Sequence, residues 1–326
     1  MSSGTGAGLF GLVEGDMAQV DAVLGRVVRD ENPLVSGVAD YLRAAVGKRI
    51  RPALVLLSAR AAGVGDPQIP QVVPIAAAVE MIHMATLVHD DIIDDAAVRR
   101  GRAALRVAFN DHVAVLAGDF LFARAFQLLA DTGMPTVVRT AADVVHAICV
   151  GEIRQNLDQG RTATEAEYLA RIEGKTAAFV SASCRLGALA AEADDEVLDS
   201  LTRFGWHVGM AFQMVDDLLD LTADPERLGK AVASDYRQGV VTLPVIYAVQ
   251  HTREAGRFQK ALAYPEEPGA ARVIHETLEE SGALRYVKQQ ADDMLKQALA
   301  LLQGVPPSTE RDALRAVAQF VVSRDF

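Results

Sequence analysis

Apolar residues recur at intervals of three and four along almost the whole chain, and no other feature narrows the choice of fold so far. Met17, Val20, Leu24 and Val27 make one such series, and Leu34, Val38, Tyr41, Leu42 and Ala45 make the next. This spacing lines up side chains on one face of an α-helix, whereas a half-buried strand needs strict alternation. It predicts helices near 71–94, 110–131, 136–157, 165–190 and 195–221, with shorter ones at 242–263, 270–281, 283–302 and 309–322. Several boundaries carry their own chemistry. Thr164 and Glu167 form a capping box, Pro135 suits a first helical turn, and Gly133, Gly160 and Gly304 suit helix ends. Alternating strand patterns and Asn-Gly or Asp-Gly turns are absent, so the expected class is all-α. No repeat or shift in composition divides the chain. One helical domain over 16–326 is expected, after a flexible glycine-rich stretch at 1–15.

With 326 residues, half of them hydrophobic, the chain can bury a large core. Its 32 Lys and Arg against 43 Asp and Glu leave a formal charge of −11. That field repels polyanions, which excludes general attraction to nucleic acid or anionic lipid. Any phosphate ligand must be captured locally. Cys149 and Cys184 form no CxxC pair and read as packed thiols in a reducing compartment. The N-terminus lacks the basic and apolar regions of a signal peptide, so a cytoplasmic location is expected. The most apolar stretch, 72–93, contains Glu80, His83, His89 and two aspartates, and no membrane-spanning segment is expected.

Two aspartate clusters stand out: Asp90, Asp91 and Asp94, and Asp216, Asp217 and Asp220. On a helix the residues four apart share a face, where like charges repel by roughly 0.2–0.5 kcal/mol per pair. A solvated acidic face is the plain reading of either cluster alone. Both, however, are embedded in apolar sequence, MATLVHDDIID and AFQMVDDLLD, where such a face is poorly placed. A divalent cation resolves the conflict. Magnesium fits well, because it prefers one or two carboxylates plus waters and substrate phosphates to a full protein cage. Neither cluster has the loop spacing of a calcium-binding EF-hand, and the seven histidines form no zinc pattern. Two basic clusters supply what the net charge lacks: Gly47-Lys48-Arg49-Ile50-Arg51-Pro52, which opens a predicted helix, and Arg99-Arg100-Gly101, which follows the first aspartates.

The combination resembles the trans-type isoprenyl diphosphate synthases, in the polyprenyl branch that makes quinone side chains. The resemblance rests on GKRIRP (47–52), EMIHMATLVHDDIIDDAAVRRG (80–101), LAGDFLFARA (116–125), GKTA (174–177), FQMVDDLLD (212–220) and TLP (242–244). It covers nearly the whole chain after residue 30, in family order. It implies a single-domain helical bundle around a deep central cavity, with the two aspartate motifs facing each other across it. It also implies three magnesium ions in the substrate-bound site. Asp90, Asp94 and Asp216 are then the first metal ligands, supported by Asp91, Asp217 and Asp220. Arg99, Lys175 and Lys230 match contacts of the allylic diphosphate, and Lys48, Arg51, His83 and Arg100 match the isopentenyl diphosphate site. Lys175, Thr176 and Gln213 match catalytic positions, the last two as oxygen dipoles facing an allylic cation. The implied partners are isopentenyl diphosphate, an allylic diphosphate such as farnesyl or geranylgeranyl diphosphate, and a second copy of the chain. Peripheral contact with a membrane for product release belongs to the same picture.

In this family product length follows the depth of a hydrocarbon tunnel below the first motif. Ala85 and Thr86, one turn before Asp90, then Met81 and Ile82, then Ala77 and Ala78, would line it. Short-chain relatives carry a bulky aromatic where Ala85 stands, so the expected product is C35–C50 rather than C15–C20. Three positions depart from the family pattern: Val46 before Gly47, Ala103 in place of a common Pro, and Val240 where a second loop lysine is frequent. Three rival readings remain. They are a short-chain synthase, a non-catalytic subunit of a heteromeric prenyltransferase, and a terpene cyclase. A cyclase has no need of Lys48, Arg51 and Arg100, and degenerate subunits commonly lose one aspartate motif.

Overall fold

The computed structural model describes residues 10–28, 36–38, 41–42, 47, 49–99, 101–157, 164–222 and 233–323. Among them the chain is helical almost throughout, and the only strands are two-residue pieces of one hairpin. Its contacts divide it into two compact units, one of residues 1–145, 182–202 and 302–316, the other of 146–181, 203–301 and 317–326.

In the first unit, α1 (Glu14–Val27), α2 (Ile50–Ala61), α3 (Ile69–Ile93) and α4 (Asp111–Asp131) pack together. The side chains of α3 are buried on every side from Ile75 to Ile82, as befits a central helix with no polar face. The one charge within that stretch, Glu80, is held at 3.0 Å by Arg49. Helix α4 starts where the Asn110 side chain accepts the Val113 N–H at 2.8 Å, and the chain turns away at Gly133, whose φ of +69° suits glycine. Between α3 and α4, strands β1 (Val98–Arg99) and β2 (Arg102–Ala103) pair across Gly101, and a one-turn helix, Leu105–Ala108, follows.

The second unit holds most of α5 (Pro135–Leu157), all of α6 (Glu165–Ile172), and a π-helical turn, Glu173–Ala177, that leads into α7 (Ala178–Ala190). It also holds the C-terminal part of α8 (Asp195–Thr222), then α9 (Leu243–His251), α10 (Ala255–Ala263), α11 (Ala270–Glu280) and α12 (Ala283–Leu301). Helix α13 (Thr309–Val322) closes the described chain. The capping box at Thr164 is present in full, with the Glu167 carboxylate accepting the Thr164 N–H at 2.7 Å. One apolar cluster of this unit joins Tyr168, Met214, Leu218, Leu243 and Val287, and another joins Phe258, Leu262, Ile274 and Leu278.

Five expectations need correction. The segment 242–263 is two helices, because Thr252 takes an extended conformation. The run 165–190 is interrupted by the π turn, and the stretch between the helices predicted to end at 94 and to begin at 110 contains the hairpin and a helical turn. Residues 11–13 form a 3₁₀ turn and α1 begins at Glu14, so helix starts inside the stretch expected to be flexible; residues 1–9 lie outside the described residues. Finally, two segments, Asp66–Ile93 and Asp111–Asp131, are long and apolar enough to cross a membrane. The first has 67% of its most apolar window buried inside the protein, which marks a core helix, while the second has only 33% buried. Scattered ionisable residues had hidden this, since they interrupt apolar runs without lowering the mean much. Gly160, Val46 and parts of the predicted helix at 34–45 also lie outside the described residues.

Candidate active site

The first aspartate motif ends α3. Asp90 and Asp94 lie one turn apart and are partly accessible, while Asp91 is turned inward and buried. The hairpin explains where Asp91 points. The chain leaves α3 at Asp94 and turns at Asp95, φ +51°, so that Arg99 on β1 returns over the helix and donates to Asp91 Oδ1, from Nε at 2.8 Å and also from Nη2; Gly101, φ +74°, then makes the hairpin turn. Tyr41 fastens the hairpin from the other side, its hydroxyl donating to the Ala103 carbonyl at 2.6 Å and its ring lying under the Arg102 guanidinium.

Beside this motif, Arg51 Nη1 lies 3.2 Å from His83 Nε2. Guanidinium has no acceptor, so Nε2 accepts and the His83 proton sits on Nδ1. Arg49 takes the left-handed conformation, φ 52°, and its side chain turns inward to Asp21 and Glu80, each at 3.0 Å. Arg49, Glu80, His83, Asp91 and Arg99 line one small cavity of about 50 Å³. Lys48 and Arg100 lie outside the described residues. His89 gives Gly118 of LAGDFLFARA a physical reason. The imidazole sits where a Cβ on residue 118 would stand, 2.1 Å from Nε2, and Nε2 meets the Val115 carbonyl at 3.1 Å.

The second motif ends α8 in the other unit. Asp216 is exposed and Asp220 half-buried, while Asp217 is buried. Asp220 accepts twice from the segment that returns to it, from Ala233 N at its carbonyl (3.0 Å) and from Asp235 N at Oδ2 (3.4 Å). The Gln213 amide donates to Asp217 Oδ1 at 2.6 Å, and the Thr176 hydroxyl donates to Gln213 Oε1 at 2.7 Å. Thr176 and Lys175 sit in the π turn, a feature frequent at functional sites because one extra residue re-aims the side chains. Gly174 and Gly151 let this turn lie close to α5, with 3.9 Å from the ideal Cβ of Gly174 to the Gly151 Cα, and Lys175 Nζ meets Glu152 Oε2 at 2.6 Å. Burial first, and then the nearby Asp235, push the Asp217 carboxyl up to about 8, against the opposing pull of Gln213 and Tyr168. The Tyr168 phenol, also buried, is pushed well above its ordinary value. Lys230 lies outside the described residues.

Four carboxylates therefore remain accessible, in two pairs, and both pairs stand toward helix C-termini. Asp90 is in the last turn of α3 and Asp94 caps it, while Asp220 is in the last turn of α8 and Asp216 is one turn earlier. A helix C-terminus carries partial negative charge and disfavours an anion by about 0.3–1 kcal/mol. Among the described residues no three His, Cys, Asp or Glu side chains converge into a cage. Oxygen donors in accessible pairs, without a cage, suit magnesium completed by waters and substrate phosphates. Asp91 and Asp217, counted from the sequence as supporting ligands, are engaged by Arg99 and Gln213. Sequence reasoning also missed Arg49 and Glu80 near the first motif, and Glu152 and Tyr168 near the second. Glu152 and Tyr168 belong to helices whose apolar pattern hides them, and Arg49 sits between two residues already given roles.

The Polyprenyl synthetase family model matches residues 32–280. The chain belongs to that family. It is 39% identical to the heptaprenyl diphosphate synthase component 2 of Geobacillus stearothermophilus, over 98% of both chains. It is 38% identical to a geranylgeranyl diphosphate synthase of Methanosarcina mazei, over 88% of both. Among solved structures it matches the polyprenyl synthase of Caulobacter crescentus complexed with calcium and isoprenyl diphosphate, with a TM-score of 0.89, 35% identity, and 99% of each chain covered. The protein is thus a prenyltransferase of the prenyl diphosphate synthase type, with isoprenyl diphosphates as the family's substrates and a divalent metal as its cofactor. Relatives of both longer and shorter products are equally close, so family membership leaves product length open.

Proposed function

We propose that this enzyme condenses an allylic diphosphate with isopentenyl diphosphate, repeatedly, to an all-trans polyprenyl diphosphate of C35–C50, using magnesium. The observation that carries this reading is the pair of accessible carboxylates toward the C-terminal end of each of two apolar helices, oxygen donors of the kind magnesium takes. When bound, the metal would supply Lewis-acid stabilisation of the charge that develops on departing diphosphate. Arg99, Lys175 and Lys230 hold the allylic diphosphate, and Lys48, Arg51, His83 and Arg100 hold isopentenyl diphosphate. As the allylic C–O bond breaks, its electrons leave with diphosphate, and the Thr176 oxygen faces the cation that remains. The isopentenyl double bond attacks that cation, and a proton passes to the leaving diphosphate. The product is an allylic diphosphate five carbons longer.

Product length rests on Met81, Ile82 and Ala85, which are 0–1% exposed, and on Thr86, whose hydroxyl is occupied by the His83 carbonyl at 2.9 Å. Each CH₂ buried beyond a small Ala85 contributes roughly 0.8 kcal/mol to a longer chain. Ala85→Phe is therefore expected to stop elongation early, at C15–C25 by mass. An unchanged product distribution would remove Ala85 from the tunnel. Dimerisation is part of the same proposal: Val115 and Leu116 on the poorly buried α4 are 42% and 67% exposed, an apolar face suited to a second copy. So is a cytoplasmic location, which rests on two free thiols and no disulfide.

The test is incubation of the homogeneous protein with magnesium, labelled isopentenyl diphosphate and farnesyl diphosphate. Elongation to C35 or beyond is expected. Products ending at C15–C20 would favour the short-chain reading, and a cyclic hydrocarbon would favour a cyclase. No elongation by the pure chain would sink the proposal for this chain alone; the relative named component 2 makes that the informative control.

A further inference from the structure

Asp217 is buried, 4% exposed, and its Oδ2 completes no hydrogen bond; the Tyr168 hydroxyl close by is buried without one as well. Leaving a buried polar atom unsatisfied costs about 1–3 kcal/mol, more for a charged group. Asp235 and Asp216 add repulsion. For the fold alone an amide at 217 would serve better, so the carboxylate is retained against local stability.

Its one good hydrogen bond shows what it does. The 2.6 Å contact is Gln213 Nε2–H donating to Asp217 Oδ1, which turns the amide NH₂ toward residue 217 whether the carboxyl is ionised or carries its proton on Oδ2. That choice leaves Gln213 Oε1 facing Thr176, 2.7 Å from the hydroxyl. Thr176 has one hydrogen and donates it to Oε1, so both its lone pairs are left for other groups. With the amide reversed, NH₂ would take one of those lone pairs and free the hydroxyl hydrogen. Thr176 would then present a positive end where an allylic cation must be stabilised. The polarity of the whole chain is set at its buried end.

We propose that Asp217 is a positioning residue of the condensation: it fixes which way the Gln213 amide faces, and thereby turns the lone pairs of Thr176 toward the allylic cation. This rests on the proposed elongation reaction. It separates Asp217 from Asp216 and Asp220 within a single motif, giving it no share in metal binding.

The test compares Asp217→Asn with wild type in magnesium titrations, steady-state kinetics and thermal melts, and repeats the kinetics in a Thr176→Val background. An asparagine can offer its own NH₂ to Gln213, so the amide loses its fixed sense. Asp217→Asn is expected to lower kcat about 10²–10³-fold, the usual loss when one preorganised dipole is removed. The magnesium concentration for half-maximal rate and the KM for isopentenyl diphosphate should stay within about twofold, and the melting temperature should not fall. Because Asp217 acts through Thr176, the same substitution should cost no more than about twofold once Thr176 is Val. A raised magnesium requirement would make Asp217 a ligand and overturn the proposal. So would a fall in melting temperature parallel to the loss of rate, full additivity with Thr176→Val, or wild-type kcat. Absence of elongation by the wild type would instead overturn the functional reading, and this inference with it. Should Asp217→Asn not fold, ¹⁵N-glutamine labelling of the wild type reads the same point: strong protection of the Gln213 NH₂ from exchange is expected, and rapid exchange overturns the assignment.

Discussion

An Asp90→Ala variant is expected to lose about 10³-fold or more in turnover, roughly 4 kcal/mol of transition-state stabilisation, while melting at or above the wild-type temperature. The two halves of this expectation have one cause. Asp90 lies in the last turn of α3, beside Asp94 and at the negative end of the helix. Removing it relieves about 0.2–0.5 kcal/mol of repulsion with Asp94 and about 0.3–1 kcal/mol with the helix dipole. On the proposed function its charge serves to bind metal and diphosphate. Turnover under saturating magnesium, with circular dichroism and a melt on the same sample, checks both halves. Near-normal turnover would take Asp90 out of the metal site, and a lower melting temperature would show that its role is in the fold.

Fold class was legible in the sequence because helical periodicity is local and was sampled many times over. Thr164 with Glu167 and Pro135 marked their helix starts for the same reason, since each signal lies within one turn of what it specifies. What escaped depends on contacts distant in sequence. Helix begins at Gly11, despite glycines there, in a stretch anchored by tertiary structure: Asp16 is held by Arg60 at 2.7 and 3.0 Å. The break between α9 and α10 carries no Gly or Pro, and the hairpin strands are too short to show an alternating pattern.

The site divides along the same line. That two aspartate triplets with basic companions suit divalent cations and a phosphate ligand is readable from residue type and spacing. Which aspartate of each triplet turns inward is not. Asp90 and Asp91 differ by one residue, about 100° around the helix, and only the partner decides which is buried. For Asp91 that partner is Arg99, which returns through the turn at Asp95; for Asp217 it is Gln213, one turn back on the same helix. Arg49 and Glu80 follow the same rule, since a buried arginine cannot be told from a ligand-binding one until its carboxylate is found.

Lys175 and Glu152 separate stability from catalysis. Glu152 is 9% exposed at its side chain and Lys175 31%, and the two charges meet at 2.6 Å. Lys175→Met leaves Glu152 buried beside an apolar chain. Breaking a fully buried pair costs about 3–5 kcal/mol, and the exposure of Lys175 lowers this to about 1–3 kcal/mol. On the proposed function the same change removes a cation from the departing diphosphate, so turnover is expected to fall about 10²–10³-fold as well. Adding Glu152→Gln removes the orphaned charge, because an amide at 152 is cheaper to bury and can still serve Asn156, whose Nδ2 now donates to the Glu152 carboxylate at 3.3 Å and to its carbonyl at 3.0 Å. The double variant should therefore regain most of the lost stability in urea unfolding and none of the lost turnover. Recovery of both would show that Lys175 acts only by neutralising Glu152, and recovery of neither would show that the pair does not hold the π turn. Glu152→Gln alone frees the ammonium from its carboxylate and is expected to leave turnover within about tenfold of wild type, since the cation that faces diphosphate is still present.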